Sequence, residues 1–283
     1  LRERKPKAAL GLGGYAAGVA LRKAAKRGVP SAILNPDVIP GKANRYLMQY
    51  VRIVCCQFDQ TAEHTPAAHR SKLRTTGCPI RDRMIPLPPR DAAAGRLGLD
   101  PKTLTLVITG ASQGAKTVNE GMLEAFKAIK LQGWQVLHLT GKEHADAVRQ
   151  EYRDLDLAAR VIDFTADMQD VWAVADLCVS RAGASTCAEV TAAGVPAIFM
   201  PYPFHKDMHQ RANAKVLTDA GAAELVDDQK DRRRNAERLA PVLQKLLYDS
   251  TARQAMSDKA RTLAKPDAAE RVAEQVMRML SGT

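Results

Sequence analysis

The chain has 283 residues, 46% of them hydrophobic and 26% charged, a balance that excludes wholesale disorder and suits two domains or one large α/β domain. Its net charge is +11, and the excess is uneven: residues 1–90 hold 17 Lys+Arg and 5 Asp+Glu, while the remainder hold 25 and 26. The longest uncharged stretches, 8–21 and 190–205, are broken by glycine or proline and fall short of the roughly 20 apolar residues of a membrane span.

The chain opens at Leu1 without methionine and shows no signal-peptide pattern, so a processed terminus or a fragment is expected. The first elements read as strand 8–10, glycine turn 11–14, helix 15–27, strand 31–34, helix 42–49 and strand 51–56. A loop at 76–84 leads to residues 85–90, where Pro86, Pro88 and Pro89 make a stiff linker. Strands at 103–109, 135–140, 161–164, 177–180, 197–200 and 223–226 then alternate with helices at 116–129, 144–152, 168–175, 184–193 and 209–220. Helices 235–248, 250–263 and 267–280 follow. Such alternation predicts an α/β fold with parallel sheets wrapped by helices on both faces. The five cysteines include no C-x-x-C pair, and adjacent Cys55 and Cys56 point to opposite faces of a strand, so reduced thiols are expected.

Ligands of a parallel sheet sit beyond the carboxyl ends of its strands. Three turns rich in small residues fall there. Gly11-Leu12-Gly13-Gly14-Tyr15 lets backbone approach a phosphate at a helix start; it also fits a dinucleotide fingerprint through Ala16, but Asn35-Pro36 stands where the acid should end the second strand. Thr109-Gly110-Ala111-Ser112-Gln113-Gly114-Ala115 is no Walker loop, yet Ser112 can donate to a phosphate or cap the helix. Ser180-Arg181-Ala182-Gly183-Ala184-Ser185-Thr186 leaves room at a helix start, with Glu189 able to accept two hydroxyls of a ribose or simply to favour the helix dipole. His205 and His209 lack a third metal ligand, and no G-x-S-x-G elbow supports a triad.

Read together, Gly11-x-Gly13-Gly14-Tyr15, Pro40-Gly41-x-x-Asn44-Arg45, Gly77-x-Pro79-Ile80-Arg81, Gly110-Ala111-Ser112-Gln113-Gly114-Ala115, Phe164-x-x-Asp167-Met168, Ser180-Arg181-Ala182-Gly183-Ala184-x-Thr186-x-x-Glu189 and His205-Lys206-Asp207-x-x-Gln210-x-x-Asn213-Ala214 resemble the peptidoglycan lipid II synthase family over residues 6–228. The resemblance implies a GT-B fold: an acceptor and membrane-associated domain at 1–88, a UDP-sugar donor domain at 95–265, and a final helix, 266–283, returning towards the first domain. It implies an inverting transfer of N-acetylglucosamine from UDP-N-acetylglucosamine to undecaprenyl-diphospho-N-acetylmuramoyl-pentapeptide, with no cofactor and no obligatory metal.

On the donor side the resemblance places Phe164, Thr165 and Met168 at the uracil, Glu189 at the ribose, and Ser112 with Arg81 at the diphosphate, with Gln113 and Gly114 also binding the donor. Ala182, Gly183, Ala184 and Thr186 line the donor, and His209 and Gln210 contact the sugar. On the acceptor side it places Gly13, Gly14, Tyr15 and Asn44. Leu34-Asn35-Pro36-Asp37 stands where the family carries His-Glu-Gln-Asn, which leaves Asp37 as the candidate base. The family's first glycine-rich loop, with its histidine, should precede Leu1, so this chain is expected to transfer sugar poorly. A UDP-N-acetylglucosamine 2-epimerase or a nucleotide-sugar-binding module without turnover are the alternatives. The basic region fits an anionic membrane surface on the cytoplasmic face better than nucleic acid, because it has few aromatics placed for stacking.

Overall fold

The computed structural model describes residues 5–110, 114–204 and 206–281, apart from the side chains of Tyr15, Ala16 and Ser281. It divides into two compact units, Leu1–Ile80 with Lys265–Thr283 and Arg81–Ala264.

The first unit contains β1 (Ala9–Gly11), α1 (Gly14–Lys26), β2 (Ser31–Asn35), α2 (Lys42–Leu47), β3 (Ile53–Cys56), α3 (Ala67–Arg70) and β4 (Leu73–Thr75). Its strands pair in parallel in the order β1-β2-β3-β4. Strand alternation sends Ile33, Val54 and Cys56 to one face, where Leu21, Leu47, Met48 and Val51 cover them. Leu34 and Cys55 go to the other. The short edge strand Leu73–Thr75 is absent from the sequence reading, because three residues show no periodicity.

In the second unit come α4 (Arg90–Leu97), β5 (Leu104–Thr109), α5 (Lys116–Ala125), β6 (Trp134–Leu139), α6 (Ala145–Asp154), β7 (Ala159–Ile162) and α7 (Met168–Val174). They are followed by β8 (Leu177–Ser180), α8 (Ala184–Ala193), β9 (Ala197–Phe199), α9 (His209–Asp219), β10 (Ala223–Leu225), α10 (Arg232–Tyr248) and α11 (Ser250–Leu263). All strand pairs are parallel, in the order β10-β9-β8-β5-β6-β7. The chain walks outward from β5 to β7, returns to the other side of β5, and walks outward again. That reversal opens a crevice beyond the carboxyl ends of β5 and β8, where doubly wound sheets bind ligands. Leu106, Ile108, Val136, Val179 and Ile198 are buried beneath α5 and α10, which contribute Val118, Met122, Leu239 and Leu243.

The chain finally returns to the first unit as α12 (Ala268–Ser281), where Val272 closes over Leu34 and Cys55. Gly77 makes this return possible: at φ +90° it lies so close that a Cβ would stand 2.7 Å from Lys265 Cβ. The break between units falls at Ile80–Arg81, so Pro86, Pro88 and Pro89 lie inside the second unit. There Arg90–Leu97, with no element in the sequence reading, forms α4 and buries Ala93, Ala94 and Leu97. Among the described residues, no helix is long and apolar enough to cross a membrane.

Candidate functional site

Loops at the carboxyl ends of β5, β7, β8 and β9 gather on one edge of the second sheet. The β5 turn is too tight for side chains at its glycines. A Cβ on Gly110 would overlap the Ala115 amide nitrogen, and one on Gly114, at φ +75°, would overlap the Thr140 carbonyl oxygen. Ser112 and Gln113 lie outside the described residues.

Beyond β8 the backbone enters α8 through small residues. Ala182 is buried, and its carbonyl accepts a hydrogen bond from Asn213 Nδ2 at 3.1 Å. Gly183 stands just ahead of α8, where a Cβ would meet only Thr186 Oγ1, at 3.9 Å. The helix therefore starts at Ala184 with open space before it. Two turns on, Glu189 accepts a 2.9 Å hydrogen bond from Trp172 Nε1 of α7. Burial pushes the Glu189 carboxyl up from its ordinary range, while the indole N–H and the Arg81 guanidinium oppose that rise.

Arg81 opens the second unit and donates from Nη1 to the Ala166 carbonyl. Arg83 pairs with Asp167 at 2.8 Å, so the segment after β7 is held to the segment ahead of α4. Within it Thr165 Oγ1 accepts from the Asp167 amide, Phe164 is 48% exposed, and Met168 begins α7. The structure thus brings Arg81, Thr165, Met168, Trp172 and Glu189 to one neighbourhood.

Arg181 organises the loop after β9. Its Nη1 donates to the carbonyls of Met200 and Pro201, at 2.8 and 3.1 Å, and to Asp228 Oδ2 at 2.8 Å. Its Nη2 donates to Thr117 Oγ1. Asp228 also accepts from Asn235 Nδ2 and the Lys230 amide. Burial drives its carboxyl up, but these hydrogen bonds outweigh burial and hold it below the usual range. In this pair Arg181 Nε alone is buried without a partner, and a buried pair of this kind fixes geometry more than it adds stability. The loop then meets α9, where the Tyr202 amide donates to Gln210 Oε1 at 2.9 Å and His209 Nδ1 lies 2.7 Å from Asp207 Oδ1. Sequence reasoning assigns no role to Arg181 or Trp172. The first stands inside a quoted motif, but the partners of both come from elements that only tertiary packing brings near.

At the first sheet, Gly13 and Gly14 take φ +98° and +77° ahead of and into α1, a backbone that favours glycine. Tyr15 follows in the helix, its side chain outside the described residues. Asn44 is buried, and its amide donates to the Leu34 carbonyl at 3.1 Å and to Asn35 Oδ1 at 3.0 Å, tying α2 to the end of β2. Asp37 is half-buried just beyond β2, where its carbonyl accepts from Asn35 Nδ2 at 2.6 Å. Gly13, Gly14, Asp37 and Asn44 thus share the carboxyl edge of the first sheet. The donor-side candidates share that of the second.

Residues 105–272 match the glycosyltransferase family 28 C-terminal domain. The chain is 33% identical over 273 residues to the UDP-N-acetylglucosamine–N-acetylmuramyl-(pentapeptide) pyrophosphoryl-undecaprenol N-acetylglucosamine transferase of Halothermothrix orenii, covering 94% of this chain and 72% of that protein. Against the same enzyme of Pseudomonas aeruginosa PAO1 it is 35% identical over 283 residues, covering 100% and 76%. The chain belongs to this transferase family. A crystal structure of MurG from Acinetobacter baumannii aligns with TM-score 0.78 at 31% identity, over 98% of this chain and 75% of that one. The fold is accordingly GT-B. A Listeria monocytogenes structure described as a UDP-N-acetylglucosamine 2-epimerase aligns with TM-score 0.76 at 16% identity over 100% of this chain and 77% of that one, a likeness of fold alone.

As a glycosyltransferase, the chain needs a hold on its nucleotide sugar and compensation for the leaving group's charge. The carboxylate at Glu189, the guanidinium at Arg81 and the open start of α8 supply groups of these kinds. Among the described residues, no group of three or more His, Cys, Asp or Glu is placed to hold a metal ion.

Proposed function

We propose that the chain transfers N-acetylglucosamine from UDP-N-acetylglucosamine to an undecaprenyl-diphosphate-linked N-acetylmuramoyl-pentapeptide, the step that completes the lipid-linked disaccharide of peptidoglycan. The observation that carries this reading is the half-buried Glu189 carboxylate, held by Trp172 beside Arg81 and the 164–168 segment, in a chain of this family.

In this reading Glu189 accepts the ribose hydroxyls, Phe164, Thr165 and Met168 cradle the uracil, and His209 and Gln210 meet the sugar. Ala182, Gly183, Ala184 and Thr186 leave room for the donor. An acceptor hydroxyl attacks the anomeric carbon with inversion, the bond from that carbon to the diphosphate oxygen breaks, and UDP leaves. Arg81, with Ser112, Gln113 and Gly114, offsets the leaving charge. Gly13, Gly14 and Tyr15 face the acceptor diphosphate, Asn44 shapes that edge, and Asp37 takes the hydroxyl proton. The basic first unit meets the anionic cytoplasmic face of the plasma membrane, each Lys or Arg near that surface contributing about 1 kcal/mol.

Calorimetric titration with UDP tests the reading. Glu189→Ala is expected to weaken UDP binding by about 2–3 kcal/mol, the scale of a lost charged hydrogen-bond partner. Unchanged affinity overturns the assignment.

A further inference from the structure

Between α1 and α2 the first unit carries a groove of about 390 Å³ that none of the roles above uses. Leu47 forms its buried floor, Val19 and Tyr46 stand along it 65% and 45% exposed, and Arg22 and Lys42 rim it. Exposed apolar walls that line a concavity mark a binding surface more often than a bare face.

Three observations say what fills it. The first is charge: the lining contains two cations and no acidic side chain, and Arg22 and Lys26 both act electrostatically on the Tyr46 hydroxyl. The second is Gly18, which lies inside α1, where glycine costs about 1 kcal/mol against alanine. A Cβ there would meet nothing within 4 Å, so no contact within the chain requires the missing side chain. What glycine preserves is empty space in the groove. The third is continuity. Gly14 and Gly18 are one helical turn apart, about 6 Å along the axis, so the groove begins beside the Gly13–Gly14 turn.

We propose that this groove takes the first isoprene units of the acceptor's polyprenyl chain, with the attached diphosphate at the glycine turn. The assignment rests on the transferase reading above. It makes the first unit a reader of the lipid itself: the apolar chain is bound by protein, and the membrane is left to hold only the distal units.

The test is a titration of the full chain, without detergent or vesicles, using inorganic diphosphate, geranyl diphosphate and farnesyl diphosphate. Affinity is expected to rise with each isoprene unit, by about tenfold or more across the series, since every buried methylene contributes. Gly18→Leu fills the groove with a better helix former and is expected to bring the farnesyl-to-diphosphate ratio to about one. Val19→Asp, at an exposed position, lowers the same ratio without touching the core. Equal affinity for all three ligands in the wild type overturns the proposal. So does a chain-length gain that survives Gly18→Leu. If Gly18→Leu instead loses only binding to phosphatidylglycerol vesicles, the groove is a membrane-docking surface and the proposal is overturned. Failure of the transferase reading would show separately, as unchanged UDP affinity in Glu189→Ala.

Discussion

The two units share a plan, parallel strands wound with helices, but among the described residues only the second buries charged side chains. The first unit holds 17 Lys+Arg against 7 Asp+Glu, and the second 25 against 24. In the first, Arg22, Lys23, Lys26, Arg27, Lys42 and Arg45 are all exposed. In the second, Arg181 and Asp228 are buried together, and His138 is buried between the Tyr152 hydroxyl and Asn119 Oδ1 at 2.9 and 3.1 Å. Exposed charge attracts a partner and costs the fold little, whereas buried charge fixes loops and makes stability depend on it. The first unit thus keeps its charge in solvent, whereas the second uses a buried pair to hold its own loops.

That contrast can be broken by experiment. The largest effect is expected from Arg181→Met, which leaves Asp228 buried without its guanidinium. Urea unfolding should show a loss of about 3–5 kcal/mol, and a loss below 1 kcal/mol would mean the second unit does not depend on its buried pair. Next comes acid. Burial holds the His138 imidazole down to about 3, against 6.5 when unfolded. The unfolded chain therefore takes up a proton below pH 6.5 that the folded chain refuses until about pH 3. Stability present above pH 6.5 is lost through that window, at about 1.4 kcal/mol per pH unit. Unfolding free energies from denaturant titration at pH 6.5 and 4.5 should differ by about 2–3 kcal/mol from this group, and His138→Gln should flatten the slope. Trp172→Phe keeps the ring but removes the N–H that holds Glu189, and a loss of about 1 kcal/mol in UDP affinity is expected. The smallest effect on stability belongs to the first unit. Lys23→Gln with Arg27→Gln should shift stability by no more than about 0.5 kcal/mol, yet weaken binding to anionic vesicles by about 2 kcal/mol.

The second sheet was legible because its strands are near-continuous apolar runs. Thr103–Thr109 reads as buried strand without help from its neighbours, and β5 spans Leu104–Thr109. Small-residue turns at 110–115 and 182–186 also stand where glycine and alanine signal close approach. Elsewhere the local signal was weak. Arg90–Leu97 follows three prolines and carries three consecutive alanines in place of a clear apolar stripe, so no element is legible there, and it is packing against α7 that makes it a helix. The indole on Glu189 joins residues 17 apart on two helices, and the Arg181–Asp228 pair joins residues 47 apart. No spacing rule reaches across such distances. Gly18 was plain in the sequence as one more glycine in a helix, but only its empty surroundings reveal a use for it.

The return of α12 to the first unit also sets an order of assembly. Val272 covers Leu34 and Cys55, yet synthesis reaches it only after all of Arg81–Ala264 has been made. At ribosomal speed that interval is roughly 10–40 s. Throughout it the nascent first sheet has one apolar face bare, while the uninterrupted second unit has everything it needs to close. The early-made half is therefore the late-finished one.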